Sequence, residues 1–197
     1  MLKVDLNTIR ELAEASRQAV WQKAEACGRE PKIYLHWSAG HYGQFFDDYH
    51  INIDADGSYY ISTSDFAETL AHTWKRNTGA IGISLACCVG ANTETLGSEP
   101  PTAAQIEAMA KAIDAVATAW WLTIDTKHVL THGEAADNLD GERYHDRYGC
   151  YNGCERWDLQ YLGTDESPCF VWDYKDARTG GNVLRGKANW YRNQRKG

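Results

Sequence analysis

Two histidines stand where a rigid backbone could deliver them to a common point. His36 closes the apolar run Ile33-Tyr-Leu-His-Trp-Ser-Ala-Gly40, and His132 closes a second, Val129-Leu-Thr-His-Gly-Glu134. A zinc hydrolase needs three nitrogen, oxygen or sulfur ligands and one open coordination position. Strand ends suit that task, because a strand holds a side chain at the rim of a sheet with little freedom. A lone histidine serves more often as a hydrogen-bonded structural residue, so the pair carries more weight than either residue. His128 and His132 have the i, i+4 spacing of a helical zinc pair, but Val129, Leu130 and Thr131 between them favour a strand.

Two cysteine clusters also bear on chemistry. Cys150-Tyr-Asn-Gly-Cys154, with His145 nearby, could clip a structural zinc or simply be a pair of free loop thiols. Cys87-Cys88 could supply a nucleophile, but no activating neighbour is identifiable, which favours burial in the core.

The elements that must position these residues follow from periodicity. Asn7 to Cys27 reads as a helix, with Ile9, Leu12, Ala13, Ser16, Ala19, Val20 and Ala24 on one stripe and Gly28 and Pro31 as stops. Lys32 to His36 is a short buried strand. Tyr49 to Asp54 and Ser58 to Ile61 flank an Ala-Asp-Gly turn and form a hairpin. Ile81 to Ala86 is a further strand. Pro101 to Trp121 is the clearest helix, opened by a Thr102/Gln105 capping box. Lys127 to Thr131 is a strand that ends at His132. Beyond Asp137 the pattern dissolves into loop, with only a weak strand near Cys169 to Trp172. Strands interleaved with helices predict a single α/β domain, a central mixed β-sheet with helices packed on it.

The 197 residues suit one compact domain. A net charge of −7 and a pI near 5.5 argue against nucleic acid as a partner. The exception is the tail from Arg185 to Lys196, whose five basic residues read as a solvated terminus. No apolar run approaches the ~18 residues of a membrane span, and Asp114 interrupts the longest candidate, so no membrane insertion is expected. The first residues lack a secretory pattern, and six cysteines are few for a disulfide scaffold; synthesis in the cytoplasm is the expectation. Eight Trp and eleven Tyr supply core volume and would also suit a groove that stacks on sugar rings.

Several segments, in order, resemble one family. Ile33-Tyr-Leu-His36-Trp-Ser-Ala is similar to the first zinc-ligand motif of type 2 N-acetylmuramoyl-L-alanine amidases. Asp48-Tyr-His-Ile-Asn-Ile-Asp-Ala-Asp-Gly57 resembles their Tyr-His strand and Asp-Gly hairpin. His72-Thr-Trp-Lys-Arg-Asn77 with Ala80-Ile-Gly-Ile-Ser84 resembles their His…Asn…Ser-Ile-Gly segment, and Leu130-Thr-His132 their second ligand motif. The resemblance spans about residues 33–162, and its wording is most like phage and prophage endolysins.

The resemblance implies a Zn(2+) enzyme that hydrolyses the amide between N-acetylmuramic acid and L-alanine. Peptidoglycan is then the partner and the chain acts as a monomer on the cell wall after release or delivery. It implies that His36 and His132 bind the metal, with Asp158 as third ligand. The long interval between His132 and Asp158 keeps Asp137, Asp140, Asp146 and Cys154 as rivals. Arg156 falls where the family has a lysine that steadies the oxyanion, and Tyr49 where some members place a tyrosine beside the metal. Strand alternation groups Tyr49 with Ile51 and Ile53, facing away from His50 and Asn52, unless Tyr49 precedes the regular strand. His50 is expected to be structural. Ser84 stands where recycling members carry a catalytic Glu. His72, Asn77, Trp37 and Trp74 are expected to contact substrate, and Glu134 is an outside candidate for proton transfer. The expected division is residues 1–30, an N-terminal helix packed on the core; 31–163, the catalytic domain; and 164–197, a C-terminal extension of unknown role.

Overall fold

The computed structural model describes residues 1–149 and 157–195. Helix α1, Leu6–Ala26, starts at Asp5, whose side chain accepts the Thr8 amide, and buries Ile9, Ala13, Ser16, Val20 and Ala24. Gly28, at φ 72°, follows its end. The strands are β1 (Leu2–Val4), β2 (Lys32–Trp37), β3 (Ile51–Ile53), β4 (Tyr59–Ile61), β5 (Ala80–Leu85) and β6 (Val129–Thr131). They form one sheet in the order β1-β4-β3-β5-β2-β6. β2 runs parallel to β5 and β6, β3 parallel to β5, and β4 antiparallel to β1 and β3, so the expected mixed α/β sheet is present.

Alternation along the central strands separates two functions. Ile33, Leu35, Trp37, Ile51, Ile53, Ile81, Ile83, Leu85 and Val129 enter the main apolar core. That face is covered by α1 and by α2 (Ala103–Ala119), which contribute Ile9, Ala13, Val20, Met109, Ile113 and Val116. The other residues of the same strands, Lys32, Tyr34, His36, Asn52, Gly82 and Ser84, point to the opposite face. Both faces are buried, which is why β2 and β5 read as continuous runs.

Thr102 and Gln105 form the expected capping box of α2, and the Gln105 amide also donates to the carbonyls of Ile53 and Ala86 at 3.0 Å. β6 leads directly into α3 (His132–Ala136), capped by Thr131 and Glu134.

Three expectations change. β1 was not foreseen; three exposed or half-buried residues carry too little pattern, and pairing with β4 defines the strand. The weak strand near Cys169 to Trp172 does not form, and that segment is irregular. The tail is a helix, α4 (Gly180–Gln194), capped by Thr179 and packed on α2. Its glycine pair and scant apolar stripe hide it from periodicity, and tertiary contact supplies the missing stability. The basic residues described in this tail are not a solvated patch: Arg185 is buried, Lys187 pairs with Glu107, and Arg192 and Arg195 pair with Asp114, while Lys196 lies outside the described residues.

Candidate metal centre

Three chain segments converge on one point. His36 lies near the end of β2, His132 opens α3 directly after β6, and Asp158 lies in the turn before Leu159. One ligand atom from each falls within 4.8 Å of the other two, and they are the one such group of three found among the described residues. Asp158 Oδ2 is 3.1 Å from His36 Nδ1, and Asp158 Oδ1 is 3.5 Å from His132 Nδ1. Burial alone would raise the Asp158 carboxyl; the charge of His132 and the bonds to both imidazoles outweigh it and hold the group below the usual carboxylate range. Among the described residues, its ion-pair partners are these two imidazoles alone.

Two of the rivals of Asp158 are engaged elsewhere. Asp137 accepts the Gly149 amide and the Tyr174 hydroxyl, both at 2.9 Å. Asp140 is clamped by Arg76 at 2.6 Å and Lys32 at 3.3 Å, all three side chains fully buried. Asp146 is no part of the ligand group. Cys154, Cys150 and Arg156 lie outside the described residues, so the two-thiol clip and the cation expected at Arg156 do as well.

The other nitrogen of His36 is also held. Nε2 lies 3.3 Å from Thr73 Oγ1, and that hydroxyl lies 3.0 Å from His72 Nδ1. Thr73 and His72 sit in a loop closed by Asn77, whose side-chain oxygen accepts both of their amides, at 2.7 and 3.2 Å. The His72 ring rests over β5 at Gly82, where any Cβ would come within 2.7 Å of it. Burial, then the neighbouring imidazoles, pushes His72 well below the ordinary histidine range. Arg76, next in the same loop, bonds Asp140, Asn138 and the Glu142 carbonyl, locking the loop to the segment that follows α3.

Tyr49 lies ahead of the regular strand, since β3 begins only at Ile51, and alternation does not bind it. Its ring centroid is 5.0 Å from that of His36. Asn52 fixes this approach by pairing with both backbone groups of Phe46, and the Ser62 hydroxyl donates to the Tyr49 carbonyl at 2.6 Å. His50 is structural, as expected: one ring nitrogen accepts the Gly82 amide at 3.1 Å and the other donates to the Glu68 carbonyl at 2.9 Å. Burial pushes it down to about 4.

The remaining candidates divide by exposure. Trp37 is buried on the apolar face, edge-on to Trp157 and Tyr161, so it supports the residue next to Asp158 from behind. Trp74 is exposed and stacks on His145 at 5.5 Å. Ser84 is the β5 partner of His36 and fully buried. Glu134 is unavailable for proton transfer, its carboxylate being committed to the α3 cap and to Arg185. Cys87 and Cys88 are buried, and burial pushes the Cys87 thiol well up, the opposite of an activated nucleophile. His128 bonds Glu30 and Asp125, away from the ligand group.

Thr73, Gly82 and Asn52 have roles that the sequence reading did not assign them. Their signal was adjacency to residues already singled out: Thr73 follows His72, Gly82 lies two residues before Ser84, and Asn52 two after His50.

A family model and solved structures resemble this chain. The family model described as N-acetylmuramoyl-L-alanine amidase matches residues 7–147, a span that contains His36, Tyr49, His72 and His132 but ends before Asp158. No curated protein matches the chain. Among solved structures, the endolysin N-acetylmuramoyl-L-alanine amidase LysCS from Clostridium intestinale URNW is similar at 16% identity and TM-score 0.38, over 52% of this chain and 68% of that one. The Ph2119 endolysin from Thermus scotoductus MAT2119 bacteriophage Ph2119 is similar at 19% identity and TM-score 0.41, over 54% and 74%. On the family match, which covers most of its length, this chain belongs to the N-acetylmuramoyl-L-alanine amidase family.

Proposed function

We propose that the chain hydrolyses the amide between the lactyl group of N-acetylmuramic acid and L-alanine in peptidoglycan, with zinc held by His36, His132 and Asp158. The observation that carries this reading is the convergence of those three donors within 4.8 Å in a chain of the amidase family. Two imidazoles and a carboxylate fit zinc, and three protein ligands leave one position for chemistry. Bound there, zinc would supply a Lewis acid for the scissile carbonyl and the means to activate water at neutral pH.

The chain's own residues take the other tasks. Tyr49, beside His36, holds the hydroxyl we assign to proton delivery toward the departing amine. Arg156 supplies the cation for the developing oxyanion, with a forked geometry in place of a lysine's point charge. Thr73 holds the His36 ring in one orientation, and His72 and Asn77 shape the neighbouring wall. Trp74 offers an exposed aromatic face to the glycan or stem peptide. The wording of the Tyr-His-Ile-Asn-Ile and His-Gly-Glu-Ala-Ala-Asp motifs supports an endolysin as the biological setting, a monomer that reaches the wall after release.

The test is mass spectrometry of purified peptidoglycan digested by the zinc-loaded protein, beside a chelated control. Free stem peptides beginning at L-alanine, with intact glycan strands and only when metal is present, are expected. Cuts within the peptide would replace the amidase reading with an endopeptidase, and sedimentation with uncut wall would leave a binding module.

A further inference from the structure

Helix α4 lies beyond the span of the family match, yet it touches the backbone next to two of the three proposed ligands. Arg185 reaches from α4 and forks onto both carboxylate oxygens of Glu134 at 2.7 Å. The same guanidinium donates to the Val129 carbonyl of β6 at 2.9 Å. Glu134 in turn accepts the Thr131 amide at 2.8 Å, completing the reciprocal cap from which His132 projects. The fork therefore grips the strand before His132 and the helical turn after it.

The first turn of α4 meets the other ligand. The Gly180 amide donates to the Gln160 carbonyl at 3.1 Å, and a Cβ at Gly180 would lie 2.0 Å from the carbonyl oxygen of Leu159, the residue after Asp158. Leu159 itself is held at φ 61°, a conformation L residues rarely adopt. A Cβ at Gly181 would lie 2.7 Å from Glu134 Oε1. Two adjacent glycines thus let one helix end fit between the Asp158 turn and the cap of His132.

A buried ion pair contributes little net stability once desolvation is counted, but a bidentate Arg–carboxylate pair fixes geometry. We propose that Arg185 is a positioning residue, and that α4 sets the separation of His132 from Asp158 for metal binding. The proposal rests on the zinc site advanced above. Partners bonded directly to a ligand typically contribute about 10–100-fold in metal affinity, and Arg185 acts one contact further out, through Glu134.

The test measures the zinc dissociation constant, by competition with a chromophoric chelator, together with the melting temperature of the metal-free protein. Wild type is compared with Arg185→Met, Gly181→Ala and a control, Val20→Ala, in the core under α1. Zinc binding is expected to weaken by up to about tenfold in Arg185→Met, the low end of the range for partners bonded directly to a ligand. Gly181→Ala presses on Glu134 while leaving the Arg185 pair in place, so it should weaken zinc binding by more than its change in melting temperature accounts for, and it keeps the test open should Arg185→Met fold poorly. Val20→Ala should lower the melting temperature and leave zinc affinity within about twofold. Unchanged affinity in Gly181→Ala and in folded Arg185→Met overturns the proposal, as does affinity that tracks melting temperature across all variants. Wild type that binds no zinc would remove the metal site itself, and this inference with it.

Discussion

The imidazole of His72 lies flat enough over β5 that Gly82 has no room for a side chain: a Cβ there would come within 2.7 Å of the ring. His72 carries Thr73 with it, and Thr73 Oγ1 is the group 3.3 Å from His36 Nε2. A glycine in a buried strand thus reaches the proposed metal ligand through two side chains. Gly82→Ala should cost about 1–3 kcal/mol, as overpacked cores do, and weaken zinc binding as well. Urea denaturation and chelator competition would measure both; a variant equal to wild type in each would show that the ring can shift freely.

Thr73→Val removes the hydroxyl and keeps the shape. Zinc affinity should fall by roughly 10–100-fold, with Thr73→Ser recovering most of it, because the serine hydroxyl can still meet His36 Nε2. Failure of the serine variant to recover would assign the effect to packing of the methyl group.

The three proposed ligands act as a unit. His36→Ala, His132→Ala and Asp158→Asn should each lose most bound zinc, read by elemental analysis after dialysis, and most amidase turnover. A zinc-replete, fully active Asp158→Asn protein would overturn the third-ligand assignment.

Tyr49→Phe should retain zinc and fold while turnover falls by ~10²-fold or more, the scale of a general acid–base contribution. The phenol and phenyl rings pack alike, so an unchanged rate would leave Tyr49 as a packing residue beside His36.

Burial holds His50 at about 4, against an ordinary value of 6.5. Between those values the unfolded chain takes up a proton that the folded chain refuses. Its contribution to stability is therefore full above about pH 6.5 and declines as pH falls toward 4, by up to ~1.4 kcal/mol per pH unit. His50→Gln keeps a donor and an acceptor without that titration. Melting temperature should fall more steeply for wild type than for the variant across this window, and parallel curves would refute the assignment.

Much of the architecture was legible because it depends on local pattern. The stripe of α1, the capping box of α2 and the Asp-Gly hairpin each follow from residues within a few positions of one another. His36 and His132 were legible for the same reason, as strand ends are marked by the apolar run behind them. Tyr49 was ambiguous, since alternation assigns a face only within a regular strand. The side chains of Asn52 and Ser62, which hold it short of β3, act across turns.

Asp158 and α4 show where local pattern stops. The motif resemblance points to Asp158, while its long interval from His132 keeps Asp137 and Asp140 as rivals; in the structure those two are occupied by Tyr174 and by Arg76 with Lys32. Likewise a basic, glycine-led tail reads as solvated until Glu134, Glu107 and Asp114 are placed opposite its charges. The sequence by itself determined most of the elements, the sheet's two faces and the candidates for the three proposed ligands, because hydrophobic periodicity and capping are short-range. Only the tertiary structure decided that Asp158 lies beside both histidines and that Arg185 pairs with Glu134, because a charge finds its partner through space.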